Sequence, residues 1–155
     1  LEFVYLSGQV PLYFSLPPLC LMPHKFMTIT SLNDVFLTKP LKTIIYKNEL
    51  GDQIKISWNS LLNRASDIKS QLIEAKVKKG DVVAGYLLNH PDTIASFIAT
   101  NSLGAIWSCC SPDFGLESIV DRFGQLKPKV LLAHNKYTYG GKPFDQSKKI
   151  IALEK

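Results

Sequence analysis

The pattern of hydrophobic and polar residues is irregular up to about residue 40 and becomes ordered from about residue 41. The runs TIIYKN (43–48) and QIKISW (53–58) are short and rich in β-branched and aromatic residues, and Gly51 lies in the link between them. Two such runs joined by a short glycine-containing link are typical of a β-hairpin. The ordered part of the chain is therefore predicted to begin with an antiparallel hairpin.

A helical pattern follows the hairpin directly. Ser57 is a suitable N-cap, and apolar residues then recur at helical spacing at Trp58, Leu61, Leu62, Ala65, Ile68 and Leu72. The basic residues Lys76, Lys78 and Lys79 suit the negative end of a helix, and Gly80 is a suitable stop. We therefore expect one amphipathic helix that reaches as far as Gly80.

Apolar runs alternate with helical patterns over the rest of the chain. The run VVAGYLL (82–88) is apolar on both faces, as in a buried parallel strand, and 105–108 and 130–133 are shorter strands of the same kind. Helices are predicted from Pro91 to Gly104, with Ile94, Phe97, Ile98 and Leu103 on the buried side, and from Leu116 to Lys127-Pro128, with Leu116, Ile119, Val120 and Phe123 on it. Strands and helices that alternate with short links indicate an α/β fold with parallel strands flanked by helices.

The first 40 residues differ from the rest. They are apolar, interrupted by prolines, nearly free of charge, and begin with Leu1. We expect an irregular segment, because the chain either is a fragment or is translated from upstream of the true start, for which Met22 and Met27 are candidates. Prolines also break the apolar run at 10–23, so no membrane span is predicted.

Composition narrows the class of protein further. The chain has 155 residues, 46% of them apolar, and a net charge of +5 carried mostly by dispersed lysines, with arginine only at Arg64 and Arg122. A nucleic-acid surface normally needs a cluster of basic residues, so we expect no nucleic-acid partner. Three cysteines, two of them adjacent, do not form a disulfide framework, which favours a reducing, soluble compartment.

The adjacent residues Cys109 and Cys110 are candidates for chemistry. Neighbouring residues of a strand point to opposite faces, so the two sulfurs do not suit one metal ion. A nucleophilic thiol requires a nearby base, and His90 and His134 follow predicted strands and are expected near the same sheet edge. A cysteine–histidine pair and a tightly packed corner of small residues both stay open.

Two loops are candidates for ligand binding. The turn Ser111–Gly115 follows a parallel strand, where open α/β sheets bind ligands, but Ser111 or Asp113 also suits the cap of the next helix. The loop 137–142 carries Gly140, Gly141 and Lys142, which suit a phosphate, although it is not a P-loop and an ordinary surface turn explains it equally.

The runs GAIWSCCSPDFGLESIVDRFGQLKPKVLLA (104–133) and YTYGGKPFD (137–145) form a long and specific combination. They resemble the acyl-adenylate-forming (AMP-dependent synthetase/ligase) family, in the group that joins acetoacetate to CoA, and the resemblance extends over about 43–151. It implies that residues 41–155 are an incomplete N-terminal part of that family's α/β domain, with a hairpin at its start. It also implies an ATP- and Mg²⁺-dependent acid–CoA ligase of the cytosol that acts on acetoacetate through an acyl-adenylate.

The resemblance also assigns site residues. It places Tyr139, Gly140, Gly141 and Lys142 at a CoA-binding loop, although Tyr139 stands where related acetyl-CoA synthetases have arginine. It places Ser111, Pro112 and Asp113 beside the CoA channel. The family's phosphate loop, metal ligand, ribose-binding Asp and late Lys have no counterpart here, so we expect no catalytic or metal-binding residue and an inactive isolated chain. A ligase for another short acid and a non-catalytic CoA- or nucleotide-binding module are the alternatives.

Overall fold

The computed structural model of the chain describes residues 2–5, 43–47, 51 and 53–153. The strands are β1 (Glu2–Tyr5), β2 (Thr43–Lys47), β3 (Gln53–Ser57), β4 (Val82–Tyr86), β5 (Ile106–Cys110), β6 (Val130–Ala133), β7 (Lys136–Tyr139) and β8 (Lys142–Asp145). The helices are α1 (Trp58–Glu74), α2 (Pro91–Ser102), α3 (Leu116–Leu126) and α4 (Ser147–Leu153).

The central feature is a parallel sheet with the strand order β1-β6-β4-β5. The predicted α/β class with parallel strands and an antiparallel hairpin at its start, here β2–β3, is confirmed. Strand β1 falls inside the segment 1–40 that was expected to be irregular, and it pairs Glu2 with Val130. Residues 6–40 lie outside the described residues.

Helices cover both faces of this sheet. Successive residues of a strand point to opposite faces, and alternate residues of these strands belong to two different cores. One core lies between the sheet and the α1–α2 pair, and it contains Trp58, Leu61, Leu72, Val83, Leu87, Ala95, Ala99, Val130 and Leu132. The other core lies under α3 and α4, and it contains Ala84, Tyr86, Cys110, Ile119, Phe123, Leu131, Ala133 and Ile150. The result is a three-layer α/β arrangement.

Helix α1 begins as predicted and ends earlier than predicted. The Ser57 hydroxyl accepts a hydrogen bond from the Ser60 N–H at 3.1 Å, which confirms the cap. The helix ends at Glu74 rather than near Gly80, because Lys76 takes the left-handed conformation at φ 57° and its N–H donates to the Ile73 carbonyl at 2.8 Å. A helix can therefore end without glycine, at a lysine that adopts this unfavourable left-handed conformation.

Helix α2 buries a different face from the predicted one. Its fully buried residues are Pro91, Asp92, Ala95, Ser96, Ala99 and Thr100. The large residues Ile94, Ile98 and Leu103 pack at the margin of the core and are partly buried. Small side chains let the helix approach its neighbours closely, so size as well as hydrophobicity decides which face turns inward. None of the helices in the described part of the chain has the length and apolar character that crossing a bilayer requires.

Candidate functional site at the carboxyl edge of the sheet

Strands β4, β5 and β6 end at one edge of the sheet. Tyr86 is the register partner of both Cys110 and Ala133, which are the last residues of the two neighbouring strands. Two backbone hydrogen bonds continue the sheet just beyond this line, from the Leu87 N–H to the Cys110 carbonyl and from the His134 N–H to the Tyr86 carbonyl, each at 3.3 Å. The loops that leave these strands are therefore brought together, as expected for a parallel sheet.

The turn Ser111–Gly115 leaves β5 at this edge. The Ser111 hydroxyl lies 3.0 Å from Oδ2 of Asp113, and the Phe114 N–H donates to the Ser111 carbonyl at 3.2 Å. Ser111 and Asp113 are exposed, whereas Pro112 is buried. The prediction that Ser111 or Asp113 caps α3 is wrong, because their side chains bond within the turn and Gly115 takes the N-cap position without a side-chain bond.

A buried tyrosine holds this turn from below. The Tyr86 hydroxyl donates to the Pro112 carbonyl at 2.8 Å, and the Phe114 carbonyl lies 3.3 Å away on the other side of Asp113. Burial raises the pKa of Tyr86 to about 12, and nearby Tyr137, Asp113 and Cys110 add to this shift. The phenol therefore keeps its proton and acts as a hydrogen-bond donor.

The second candidate loop is the tip of a hairpin formed by β7 and β8. Tyr139 pairs with Lys142, and Gly140 and Gly141 between them have φ values of 57° and 73°. Positive φ at both central residues defines the type I′ turn that two-residue hairpins favour. Nothing lies within 4 Å of the position that a Cβ would take at either glycine, so the tip is open to approach.

The hairpin presents the exposed side chains of Tyr139, Lys142 and Phe144, and it buries Tyr137. The rings of Tyr137 and Phe144 stack at 5.0 Å, Tyr139 is 58% exposed, and Lys142 is exposed. Burial of Tyr137 raises its pKa, and the carboxylate of Asp113 raises it further. The structure thus connects the two predicted loops through Tyr86, because its hydroxyl donates to the Pro112 carbonyl and its carbonyl accepts the N–H of His134, two residues before β7 begins.

The cysteines lie at this edge without features of a reactive thiol. Cys110 is buried in the core under α3, and Cys109 is exposed on the other side of the strand. Desolvation is the main influence on Cys109 and raises its pKa, which outweighs the lowering by a side-chain hydrogen bond with Trp107. A nucleophilic cysteine needs a lowered pKa, so the raised pKa of Cys109 argues against the cysteine–histidine pair, and only Cys110 belongs to a packed corner.

His90 and His134 do meet at the sheet edge, as expected. Their ring centroids are 5.5 Å apart, and one ligand atom each of His90, Asp92 and His134 lie within 4.8 Å of one another. Burial lowers the pKa of His90 to about 3 and that of His134 to about 4, so both rings are neutral. Asp92 also accepts a hydrogen bond from Nη1 of Arg64.

The protons of these histidines argue against a metal ion. Nδ1 of His134 accepts the Leu88 N–H at 3.3 Å, and Nδ1 of His90 accepts the Asp92 N–H at 3.2 Å. A neutral imidazole whose Nδ1 is an acceptor carries its proton on Nε2, so His134 has no lone pair left for a metal, whereas Nδ1 of His90 is already in contact with Oδ2 of Asp92 at 3.0 Å. The cluster is better explained as a set of internal hydrogen bonds, in which His90 caps α2 and His134 joins the loop after β4 to the end of β6.

The sequence reasoning included Tyr137 in the candidate loop 137–142 but missed Tyr86, which connects the two loops from inside. Tyr86 ends an apolar strand, and a tyrosine in that position indicates a buried hydroxyl in need of an acceptor. The sequence could therefore have indicated that the Tyr86 hydroxyl donates a hydrogen bond inside the protein, but not which group accepts it.

Comparison with known proteins decides the family. The sequence profile of the AMP-binding enzyme family matches residues 35–155, which is most of the chain. The chain belongs to this family. All the candidate residues of both loops lie within the matched part of this AMP-binding enzyme sequence, and the resemblance read from the residues is confirmed.

Individual relatives agree with the family. Acetoacetyl-coenzyme A synthetase of Rhizobium meliloti (strain 1021) is 39% identical over 112 residues, covering 72% of this chain and 17% of the relative. Malonamoyl-CoA synthetase of Penicillium aethiopicum is 37% identical over 99 residues, covering 64% and 14%. The solved structure of acetoacetyl-CoA synthetase from Streptomyces lividans has a TM-score of 0.71 at 33% identity, covering 77% of this chain and 19% of that one. The AMP-binding enzyme chain thus spans less than a fifth of the length of these relatives.

Proposed function

We propose that the chain is part of an AMP-forming acid–CoA ligase that converts acetoacetate into acetoacetyl-CoA. ATP would activate the acid as an acyl-adenylate, and the thiol of CoA would then take the acyl group. The observation that carries this proposal is the similarity, at 33–39% identity, to acetoacetyl-CoA synthetases from two bacteria. The compartment that we propose is the cytosol.

The part of this chemistry that we assign to the described residues is the binding of CoA. The tip of the β7–β8 hairpin combines exposed Lys142, which attracts a phosphate, with exposed Tyr139, which offers a ring to an adenine base. Gly140 and Gly141 leave the backbone accessible between them. We therefore place the phosphorylated adenosine end of CoA at this tip.

The turn Ser111–Gly115 suits the other end of CoA. The exposed carboxylate of Asp113 repels phosphates and accepts hydrogen bonds from amide N–H groups, which the pantetheine arm of CoA carries. The buried Pro112 fixes the turn from the protein side. We propose that Ser111, Pro112 and Asp113 line the passage of this arm.

We assign ATP and Mg²⁺ to parts of the full-length ligases that this chain does not span. Mg²⁺ prefers oxygen ligands. Of the residues that the structure describes, the group close enough to hold a metal ion contains two histidines and one carboxylate, which does not fit Mg²⁺. Accordingly, we expect the 155-residue chain alone to release no pyrophosphate from ATP in the presence of acetoacetate and CoA.

The test is a calorimetric titration of the chain with CoA, comparing wild type, Lys142→Ala and Lys136→Ala. Lys136 is the matched control, because it is exposed in the same hairpin but lies 3.8 Å from Asp145 instead of at the tip. Loss of a charge-assisted contact to phosphate corresponds to roughly a tenfold weaker affinity for Lys142→Ala. Lys136→Ala should bind like wild type. A wild type that does not bind CoA, or equal losses in both variants, would refute the assignment.

Malonamate is a second candidate substrate, because malonamoyl-CoA synthetase is 37% identical to this chain over 99 residues. The relevant experiment uses the full-length protein of the same gene and compares acetoacetate, malonamate and other short acids as substrates. The proposal predicts the highest kcat/KM for acetoacetate. A non-catalytic CoA-binding module is the remaining alternative, and a full-length product that binds CoA without releasing pyrophosphate with any acid would favour it.

A further inference from the structure

Tyr86 connects three parts of the site, which are the strand β4, the turn Ser111–Gly115 and the segment that leads from β6 to the hairpin. It ends the inner strand β4 between β5 and β6, and its ring is fully buried in the core under α3 and α4. Its hydroxyl reaches beyond the end of β5 to the turn Ser111–Gly115. Its carbonyl accepts the His134 N–H, which belongs to the residue that leads from β6 toward the hairpin.

The hydroxyl controls the part of the turn that carries Asp113. It donates to the Pro112 carbonyl at 2.8 Å and lies 3.3 Å from the Phe114 carbonyl, so its two neighbours are the residues on either side of Asp113. With both flanking carbonyls directed inward to the phenol, Asp113 is left on the outside, where it meets the Ser111 hydroxyl. The bond within the turn, from the Phe114 N–H to the Ser111 carbonyl, is longer at 3.2 Å.

The same tyrosine is close to the hairpin. The Tyr86 carbonyl accepts the His134 N–H at 3.3 Å, and β7 begins two residues after His134, at Lys136. Burial, and then Tyr137 and Asp113, raise the pKa of Tyr86, which agrees with this arrangement. Tyr86 therefore contacts both the turn and the segment that leads into the hairpin. A change in the position of the turn relative to Tyr86 changes the distance between the two loops.

We propose that Tyr86 is a positioning residue, whose hydroxyl fixes the turn Ser111–Gly115 at the distance from the hairpin that one CoA molecule requires. This inference rests on the proposed function, in which the hairpin binds the adenosine end and the turn binds the pantetheine arm. Tyr86 itself is buried and contacts no ligand. Its effect passes through the two carbonyls of the turn.

The experiment compares Tyr86→Phe with Tyr46→Phe in the 155-residue chain. Both substitutions remove one hydroxyl from a buried ring, but Tyr46 lies in the β2–β3 hairpin and packs edge-on against His90 at 5.7 Å. The first measurement is amide hydrogen exchange of Phe114 without ligand. The second is the affinity of each variant for CoA and for phosphoadenosine phosphate, which is the adenosine end of CoA without the pantetheine arm.

A positioning role predicts a specific combination of results. Tyr86→Phe should exchange the Phe114 amide roughly tenfold faster and bind CoA roughly tenfold more weakly, as expected for one lost hydrogen bond. Its affinity for phosphoadenosine phosphate should not change, and Tyr46→Phe should match wild type throughout. General destabilisation would instead weaken both ligands equally, which overturns the inference.

The remaining outcomes separate the two proposals. Unchanged exchange at Phe114 in Tyr86→Phe would overturn the inference whatever the affinities are, and so would faster exchange with unchanged CoA affinity. A wild type that binds neither CoA nor phosphoadenosine phosphate would overturn the proposed function of the loops. The exchange measurement would then still decide whether Tyr86 holds the turn.

Discussion

Acidification should destabilise the protein through His90 and His134, which are buried side by side. Burial is the main cause that lowers the pKa of His90 to about 3, helped by His134 and Arg64, and burial lowers the pKa of His134 to about 4. In an unfolded chain both residues titrate near 6.5. The folded protein therefore keeps both rings neutral at a pH where the unfolded chain binds two protons.

The size of the effect follows from these values. At about pH 5 the solution is about 1.5 units below the unfolded pKa, so protonation stabilises the unfolded chain by roughly 2 kcal/mol per histidine. The pair should therefore remove roughly 4 kcal/mol from the free energy of unfolding. Each histidine has a lower pKa in the folded protein than in the unfolded chain. The free energy of unfolding is therefore highest above about pH 6.5, and it falls as the pH drops toward about 4. Asp81 and Asp145 also have a lowered pKa, but they titrate below this window.

The assay is urea denaturation at about pH 8 and at about pH 5, for wild type and for His90→Asn. Asparagine preserves an N-cap for α2, which His90 now provides by accepting the Asp92 N–H, but it does not titrate. The variant should lose roughly half of the difference in stability between the two pH values, or roughly 2 kcal/mol. An unchanged difference in His90→Asn would refute the reasoning, because the proton uptake would then reside elsewhere.

Three further experiments test the packing around Gly85, the pKa of Cys109 and the ion pair between Arg64 and Asp92. Gly85→Ala should cost roughly 1–3 kcal/mol in urea denaturation, because its Cβ would lie 2.6 Å from Cη2 of Trp107. The control Gly124→Ala, in helix α3 with nothing within 4 Å, should instead stabilise by roughly 0.5–1 kcal/mol, and equal effects would contradict this explanation. Cys109 should react with iodoacetamide more slowly at neutral pH than a model thiol does, as followed by mass spectrometry, because its pKa is raised; faster reaction would show an activated thiol. Asp92→Asn should cost roughly 1 kcal/mol in urea denaturation, since half-exposed Arg64 can turn to water, whereas roughly 4 kcal/mol would mean that the pair is effectively buried.

The sequence predicts the elements whose burial is uniform. Strands β4 and β6 are apolar on both faces, and this pattern is what a strand between two helical layers requires. Strands β7 and β8 were not predicted, because KYTY buries only Tyr137, KPFD is exposed at every position, and neither has an apolar face of its own. Their pairing is set by the Gly140–Gly141 turn and by the stacking of Tyr137 on Phe144, which sequence spacing does not reveal.

In the site, too, the sequence predicts some features and not others. The parallel topology was enough to bring His90 and His134 to one edge, because both follow strands that run in the same direction. The hydrogen-bond partners were not predictable, since they depend on which carbonyls a turn directs inward. Ser111 and Asp113 therefore bond to each other instead of capping α3, and Tyr86 finds its acceptors in a loop more than 20 residues away.

Strand β1 has a consequence for biosynthesis. Glu2 pairs with Val130, which is 128 positions later in the chain. At about 5–20 residues per second, translation separates the two strands by roughly 6–25 seconds. The nascent chain must therefore hold β1 without its sheet partner during this interval, which gives a chaperone time to bind this strand.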